Sequence, residues 1–242
     1  MKNLSANLVL AAILLGRPAA AGAAVELSGW WTSGWPKGGA LAHYGYGIIT
    51  TGGTGRLSWV SREGRKQFYP VIFTEAAYID FGPEAGYVVI DPVEPSLGLD
   101  VATDHYLLAF SAGFALEKSE GDVRPNLNFL AGVSYHSSAS RLTSRRQSQA
   151  RAMESYASDG ITWHAGLGAG IMILLWQPES AFAPTRLDQI FLDTRFGYVR
   201  GGHIDYLDWR TVAERADGSL DYEIVKPDIS LFILSLGLSL LF

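Results

Sequence analysis

Residues 229–242 alternate strictly. Phe232, Leu234, Leu236, Leu238, Leu240 and Phe242 fall on one side of an extended chain, and Leu231, Ile233, Ser235, Gly237, Ser239 and Leu241 on the other. Successive side chains of a strand point to opposite faces, so this is a strand with one wholly apolar face and one mixed face. Wound as a helix, the same residues would smear serine and leucine around the circumference. The pattern recurs upstream. Residues 161–176 set Ile161, Trp163, Leu167, Ile171, Ile173 and Leu175 against Thr162, His164, Gly166, Gly168 and Gly170. Residues 126–140 set Leu127, Phe129, Val133 and Tyr135 against Asn128, Gly132, Ser134, His136 and Ser138. Residues 105–117 set Tyr106, Leu108, Phe110 and Phe114 against Ser111, Gly113 and Glu117, and residues 190–200 set Ile190, Leu192, Phe196 and Tyr198 against Asp193, Arg195 and Gly197.

A soluble sandwich turns its polar face outward and its apolar face inward. Here the minority face carries Gly, Ser, His, Asp and Arg, while large apolar groups occupy the other throughout, which is the arrangement of a closed barrel with lipid outside. Each run reaches the roughly 9–11 residues that a tilted strand needs to cross a membrane. Trp163, Trp176, Tyr135, Tyr198 and Phe242 stand near strand ends, where interfacial aromatics belong. The expected fold is therefore all-β, a closed antiparallel transmembrane β-barrel.

Earlier strands are expected over 25–32, 42–51, 55–61, 68–80 and 84–91, with turns at TGGTG (51–55) and FGPE (81–84). This makes ten strands. With the last descending to the periplasm, parity puts both short turns there and the long segments 141–159 and 201–227 outside. Eight strands is the alternative, if 25–32 is a tail and Gly52-Gly53 a kink within one strand.

Residues 1–23 read as a secretory signal peptide, with Lys2 before the apolar stretch from Leu8 to Leu15 and Ala21-Gly22-Ala23 as an A-x-A cleavage site. Residues 24–242 are left as one barrel domain, because no linker, charge block or repeat divides them. Losing the segment removes two bases and no acid, so the net charge of −5 becomes −7, which argues against a nucleic-acid partner. There is no cysteine, which excludes disulfides, thiol catalysis and thiolate metal sites.

With the signal segment, the alternating strands and the terminal SLGLSLLF in view, the chain resembles the small outer-membrane β-barrel superfamily of Gram-negative-type bacteria, the opacity/OmpA-like or OmpX-like barrels. The match is carried by Leu234, Leu236, Leu238, Leu240 and the terminal Phe242. The resemblance implies an outer-membrane location, contact with lipid and lipopolysaccharide, and recognition of that terminal signature by the barrel-assembly machinery. It says nothing of activity and leaves oligomeric state open.

The sharpest local cluster is YHSSAS, residues 135–140. His136 and Ser138 share a face, where a histidine can activate a hydroxyl, and Glu154 further on could orient the histidine. The spacing is similar to the His/Ser pair of outer-membrane lipid A deacylases, but Ala139 stands where that family has asparagine. The pair also points inward, away from a lipid substrate. The alternative is hydrogen bonding within the lumen, in a network with Glu117, His164, Asp193 and Arg195. Arg141, Arg145, Arg146 and Arg151 form a basic stretch suited to lipopolysaccharide phosphates, or a solvated loop. Asp217-Gly218 marks a hairpin turn whose flanks could form a projecting ribbon. No spacing suggests a metal site, and no cofactor is expected. The expected role is a structural or surface-interaction barrel acting through long external loops. A narrow pore and a lipid A deacylase-like hydrolase are the rivals.

Overall fold

The computed structural model describes residues 23–37, 50–61, 67–89, 98–144, 151–178, 187–214 and 220–242. They form ten strands: β1 (Ala23–Pro36), β2 (Thr50–Ser61), β3 (Phe68–Val89), β4 (Gly98–Lys118), β5 (Val123–Ser144), β6 (Arg151–Trp176), β7 (Gln189–His203), β8 (Tyr206–Glu214), β9 (Leu220–Val225) and β10 (Asp228–Leu241). Eight close into an antiparallel barrel in the order β1-β10-β7-β6-β5-β4-β3-β2, while β8 and β9 pair only with each other. The seam is β1 on β10, where Phe242 and Val25 exchange backbone hydrogen bonds of 2.9 and 3.3 Å.

The barrel thus has eight strands, and the preference for ten is corrected. The TGGTG segment is not a turn. It lies inside β2 and pairs with β1 on one side and β3 on the other. Gly52 is small there because β3 passes so close that a Cβ would run into the Tyr78 carbonyl oxygen. FGPE is not a turn either. β3 continues through it, and the register against β4 slips between Asp80 and Gly82, leaving Phe81 as the extra residue of a bulge. A proline in a strand removes a donor and is tolerated at bulges and edges. Pro83 lies two residues past the bulge, opposite Asp104, and beyond Asp80, where the pairing of β3 with β2 ends among the described residues. Eight is also reached by a different route from the alternative considered: residues 25–32 are not a tail but part of β1. Of the expected strand over 42–51, residues 42–49 lie outside the described residues and 50–51 open β2.

Outward side chains form a continuous apolar belt. Ile161 is 76 % exposed, Leu167 61 % and Leu236 53 %, with Phe110, Phe114, Leu127, Val133, Ile171, Leu234 and Leu238 beside them. On β4 the belt runs from Leu116 up to Tyr106; at a tilt of about 40° this rises about 25 Å, the height of a hydrocarbon band. A belt of this extent cannot be left to water, and the barrel is a transmembrane one. At the end where the start of β1 meets the end of β10, Trp59, Phe68, Trp176 and Phe242 edge the belt. At the other end Tyr78, Tyr106 and Tyr135 stand in a row with ring centroids 6.2 and 6.3 Å apart.

Among the described residues, β3, β4, β5 and β6 run on well beyond that row. Their mutual pairing extends to Val89–Gly98, Leu99–Ser144 and Ser144–Arg151, whereas β6 meets β7 only as far as His164–Gly201. The result is a four-stranded sheet projecting from one side of the barrel. Its inner face presents Leu99, Val101 and Leu142, and the β8–β9 hairpin lies over them with Leu207 and Val212 buried. Tyr222 of the hairpin meets Tyr156 of β6 edge-on at 5.9 Å. The turn Asp217-Gly218 itself lies outside the described residues.

Candidate functional site

Alternation turns the other half of each strand into the lumen, and the lumen is filled from end to end. Near the termini an apolar plug packs Val60, Val71, Phe73, Ala115, Met172 and Phe191. Gly113 makes room for it: a Cβ there would lie 2.6 Å from the Phe73 ring. Arg124 closes that end, donating to Gln189 Oε1 at 2.9 Å with its guanidinium 4.5 Å from the Phe191 ring.

The middle layer is ionic. Asp193 and Arg195 are two residues apart on one face of β7. Arg195 Nη2 donates to Asp193 Oδ2 at 2.7 Å and Nε to both carboxylate oxygens at 3.1 Å. Ser239 of β10 gives Asp193 Oδ2 a further bond of 2.9 Å. Facing them, Arg56 of β2 lies directly opposite Glu75 in register. It donates Nε and Nη2 to Glu75 Oε2 at 2.9 and 2.6 Å, and Nη1 to Asn128 Oδ1 at 2.8 Å. Trp30 sits between the two guanidiniums, 4.0 Å from that of Arg195 and 5.3 Å from that of Arg56, while Phe73 stacks on Arg56 at 3.6 Å. Glu26 accepts from Ser28 at 2.7 Å. Glu117 is 1 % exposed, and neither of its carboxylate oxygens has a hydrogen-bond partner among the described residues. Above this layer His164 bridges two serines, Ser111 on Nε2 and Ser134 on Nδ1, both at 2.7 Å.

His136 and Ser138 come next, both inward and buried. Ser138 Oγ makes no hydrogen bond among the described residues, so none joins it to His136, whose ring lies against the Gly160 backbone. A cavity of about 20 Å³ lies beside them, lined by Phe81, His105, Leu107, His136, Ser138 and Ile229. That is the room of one water molecule. Glu154 pairs with Leu142, whereas His136 pairs with Gly160; six residues of strand, about 20 Å, separate the two levels. The pair is therefore close in chain and space, but the acid is not brought to it. Ile79, Leu107, Ile229 and Leu231 then seal the lumen under the hairpin.

The chain is similar to solved structures of two other proteins. Neisserial surface protein A matches at 14 % identity and a TM-score of 0.40, covering 92 % of this chain and 98 % of that one. Ail, the attachment invasion locus protein of Yersinia pestis, solved in complex with the heparin analogue sucrose octasulfate, matches at 12 % identity and a TM-score of 0.39, covering 91 % and 97 %. No family model and no curated protein sequence matches.

Of the other expected residues, Leu234, Leu236 and Leu238 face outward, and Phe242 closes the seam. Arg141 is exposed on the outer face of the projecting sheet. Arg145 and Arg146 lie outside the described residues, as do the side chains of Arg151 and Glu154. Sequence reasoning missed Arg56, Glu26 and Trp30. The signal was present: Arg56 lies in the expected strand 55–61, where alternation with Leu57 and Trp59 turns it to the other face. His105 and His136 line one cavity while His164 is held by Ser111 and Ser134, and no group of three metal-ligating side chains occurs among the described residues.

Proposed function

We propose that the protein is an outer-membrane barrel with a sealed lumen, working as a structural or surface-interaction element through its projecting sheet and hairpin. In this reading the termini lie in the periplasm and the β3–β6 extension outside the cell. The observation that carries it is the division between the two ends of the interior. The barrel proper is packed by an apolar plug, two ion pairs and a second apolar layer, while four strands continue past the aromatic row to support a capping hairpin. Eight strands leave an interior just wide enough for side chains to fill, so a pore is disfavoured. A hydrolytic role is disfavoured too, because a one-water cavity around Ser138 gives an acyl chain no approach.

The tests separate the readings. Reconstituted in planar bilayers, the protein is expected to show no stepwise conductance, and steady steps altered by substitution of Asp193 or Arg195 would establish a pore instead. Expressed in a bacterial outer membrane, it is expected to leave lipid A acylation unchanged; loss of acyl chains abolished by His136→Ala would establish the hydrolase. Replacing residues 204–227 by a short turn is expected to abolish adhesion of expressing cells to a cell layer while leaving heat-modifiable folding intact. Adhesion undiminished by that replacement would remove the hairpin from the function.

A further inference from the structure

We propose that the wall formed by β7, β10 and β1 binds the phosphate of a membrane-lipid headgroup at the loop end of the barrel. This rests on the membrane-embedded reading above. The collar just beyond the apolar belt is electrically lopsided. On one wall the row Tyr78, Tyr106 and Tyr135 is topped by Asp80, Asp104 and Asp159, and Tyr135 Oη donates to Asp159 Oδ2 at 3.2 Å. The opposite wall also ends in aromatics. Trp35 pairs with Phe232 and Phe232 with Tyr198; Phe196 stacks on Phe232 at 6.0 Å, and Tyr198 approaches it at 5.2 Å. This wall is topped by Lys37 and Arg200. Lys37 is pinned to β10 by its amide bond to the Ser230 carbonyl at 2.7 Å, and its Nζ stands 5.2 Å from the Phe232 centroid and 5.7 Å from that of Tyr198. Arg200 and His203 flank a single acid, Asp228, at 3.6 and 2.8 Å.

Two features select a lipid phosphate over other anions. The Arg200–Asp228 contact is long and its partners are largely exposed, so the guanidinium is free to turn and clasp a phosphate with two parallel bonds. Directly beneath the cations lie Trp35, Phe196, Tyr198 and Phe232, a surface for the acyl chains attached to that phosphate. Interfacial basic patches of this kind attract anionic lipid headgroups. Asp80, Asp104 and Asp159 repel the same group from the other wall, so binding is confined to one side of the barrel.

The test is native mass spectrometry of the full-length barrel released from lipid nanodiscs containing either diphosphorylated lipid A or its dephosphorylated counterpart. The folded parent is expected to retain the phosphorylated form about tenfold better, equivalent to about 1.4 kcal/mol. The double substitution Lys37→Gln/Arg200→Gln is expected to erase the preference, Asp228→Asn to strengthen it, and Arg141→Gln to leave it unchanged. Excess inorganic phosphate should not displace the lipid; full displacement would reduce the site to a free-anion patch and overturn the assignment. A folded parent with no preference, or a preference that survives the double substitution, overturns the proposal while leaving the barrel in the membrane. A parent that never enters nanodiscs in its heat-modifiable form overturns the membrane reading itself.

Discussion

Removing the Arg195 guanidinium tests whether the ionic layer holds the middle of the barrel. In Arg195→Met the stem is kept and the charge lost. Asp193 is 0 % exposed, and of its partners only the Ser239 hydroxyl would remain. Breaking a buried pair from one side costs about 3–5 kcal/mol, because the abandoned charge has no water to fall back on. The stacking of Arg195 on Trp30 at 4.0 Å goes as well; a cation over an indole is worth about 1–2 kcal/mol when desolvated, and methionine returns part of that by packing. Asp193→Asn keeps the shape and leaves Arg195 near Glu26 and Glu117, so its cost is smaller, about 1–3 kcal/mol. The double variant leaves no stranded carboxylate at position 193 and should be less destabilised than the sum of the two, with a coupling energy of about 2 kcal/mol or more. The measurement is reversible urea unfolding in phospholipid vesicles, followed by the heat-modifiable gel shift and tryptophan fluorescence. A loss below about 1 kcal/mol in Arg195→Met, or strict additivity in the double variant, would refute the reasoning.

Glu117→Gln removes a buried carboxylate that has no hydrogen-bond partner among the described residues and should leave stability equal or raised in the same urea assay. Glu75→Gln, which loses the partner of Arg56, should lower it by about 2 kcal/mol or more; the same sign for both would contradict the charge pattern described. Leu236→Arg places a charge on the lipid face and should cost about 2–4 kcal/mol at mid-belt; no loss would mean that Leu236 does not meet hydrocarbon. Gly113→Ala drives a Cβ into the Phe129 backbone carbonyl oxygen as well as the Phe73 ring and should destabilise by about 1–3 kcal/mol, with Phe73→Leu restoring little of it; full rescue by Phe73→Leu would show that the backbone approach is not the constraint. Leu207→Asp on the hairpin should make residues 206–225 sensitive to protease in intact cells while leaving the barrel's gel shift unchanged, and continued protection would show that Leu207 does not hold the cap.

The lipid face and the Asp193–Arg195 pair were legible because both follow from a period of two within one strand. Residues two apart share a face whatever the neighbours do. Pairs across strands were not legible. Arg56 meets Glu75, and His164 meets Ser111 and Ser134, only once the register of β2 to β6 is known, and no single strand carries that information. The two misread turns have a common cause. Gly-Gly and Gly-Pro are the chemistry of tight turns, but also of close strand approach and of bulges. What decides is whether partners exist on either side: β1 and β3 flank Gly52, while among the described residues the β2–β3 ladder stops at Asp80, short of Pro83.

The hairpin's place in the topology argues for where function can vary. β7 pairs directly with β10 from Gln189–Leu241 to His203–Asp228, so the wall closes without β8 or β9, which are an insertion in a loop. Their attachment is the apolar patch on Leu99, Val101 and Leu142, not the barrel's hydrogen-bond ladder. Folding of the transmembrane part is therefore insulated from the cap: the seam, the plug and the ion pairs are complete without it. Residues on the outer surface of β8–β9 are free of the constraints that alternation, register and lumen packing impose elsewhere. That freedom is what a surface facing a changing partner requires, and it makes the cap, which the barrel does not need in order to close, the part of this chain most open to change.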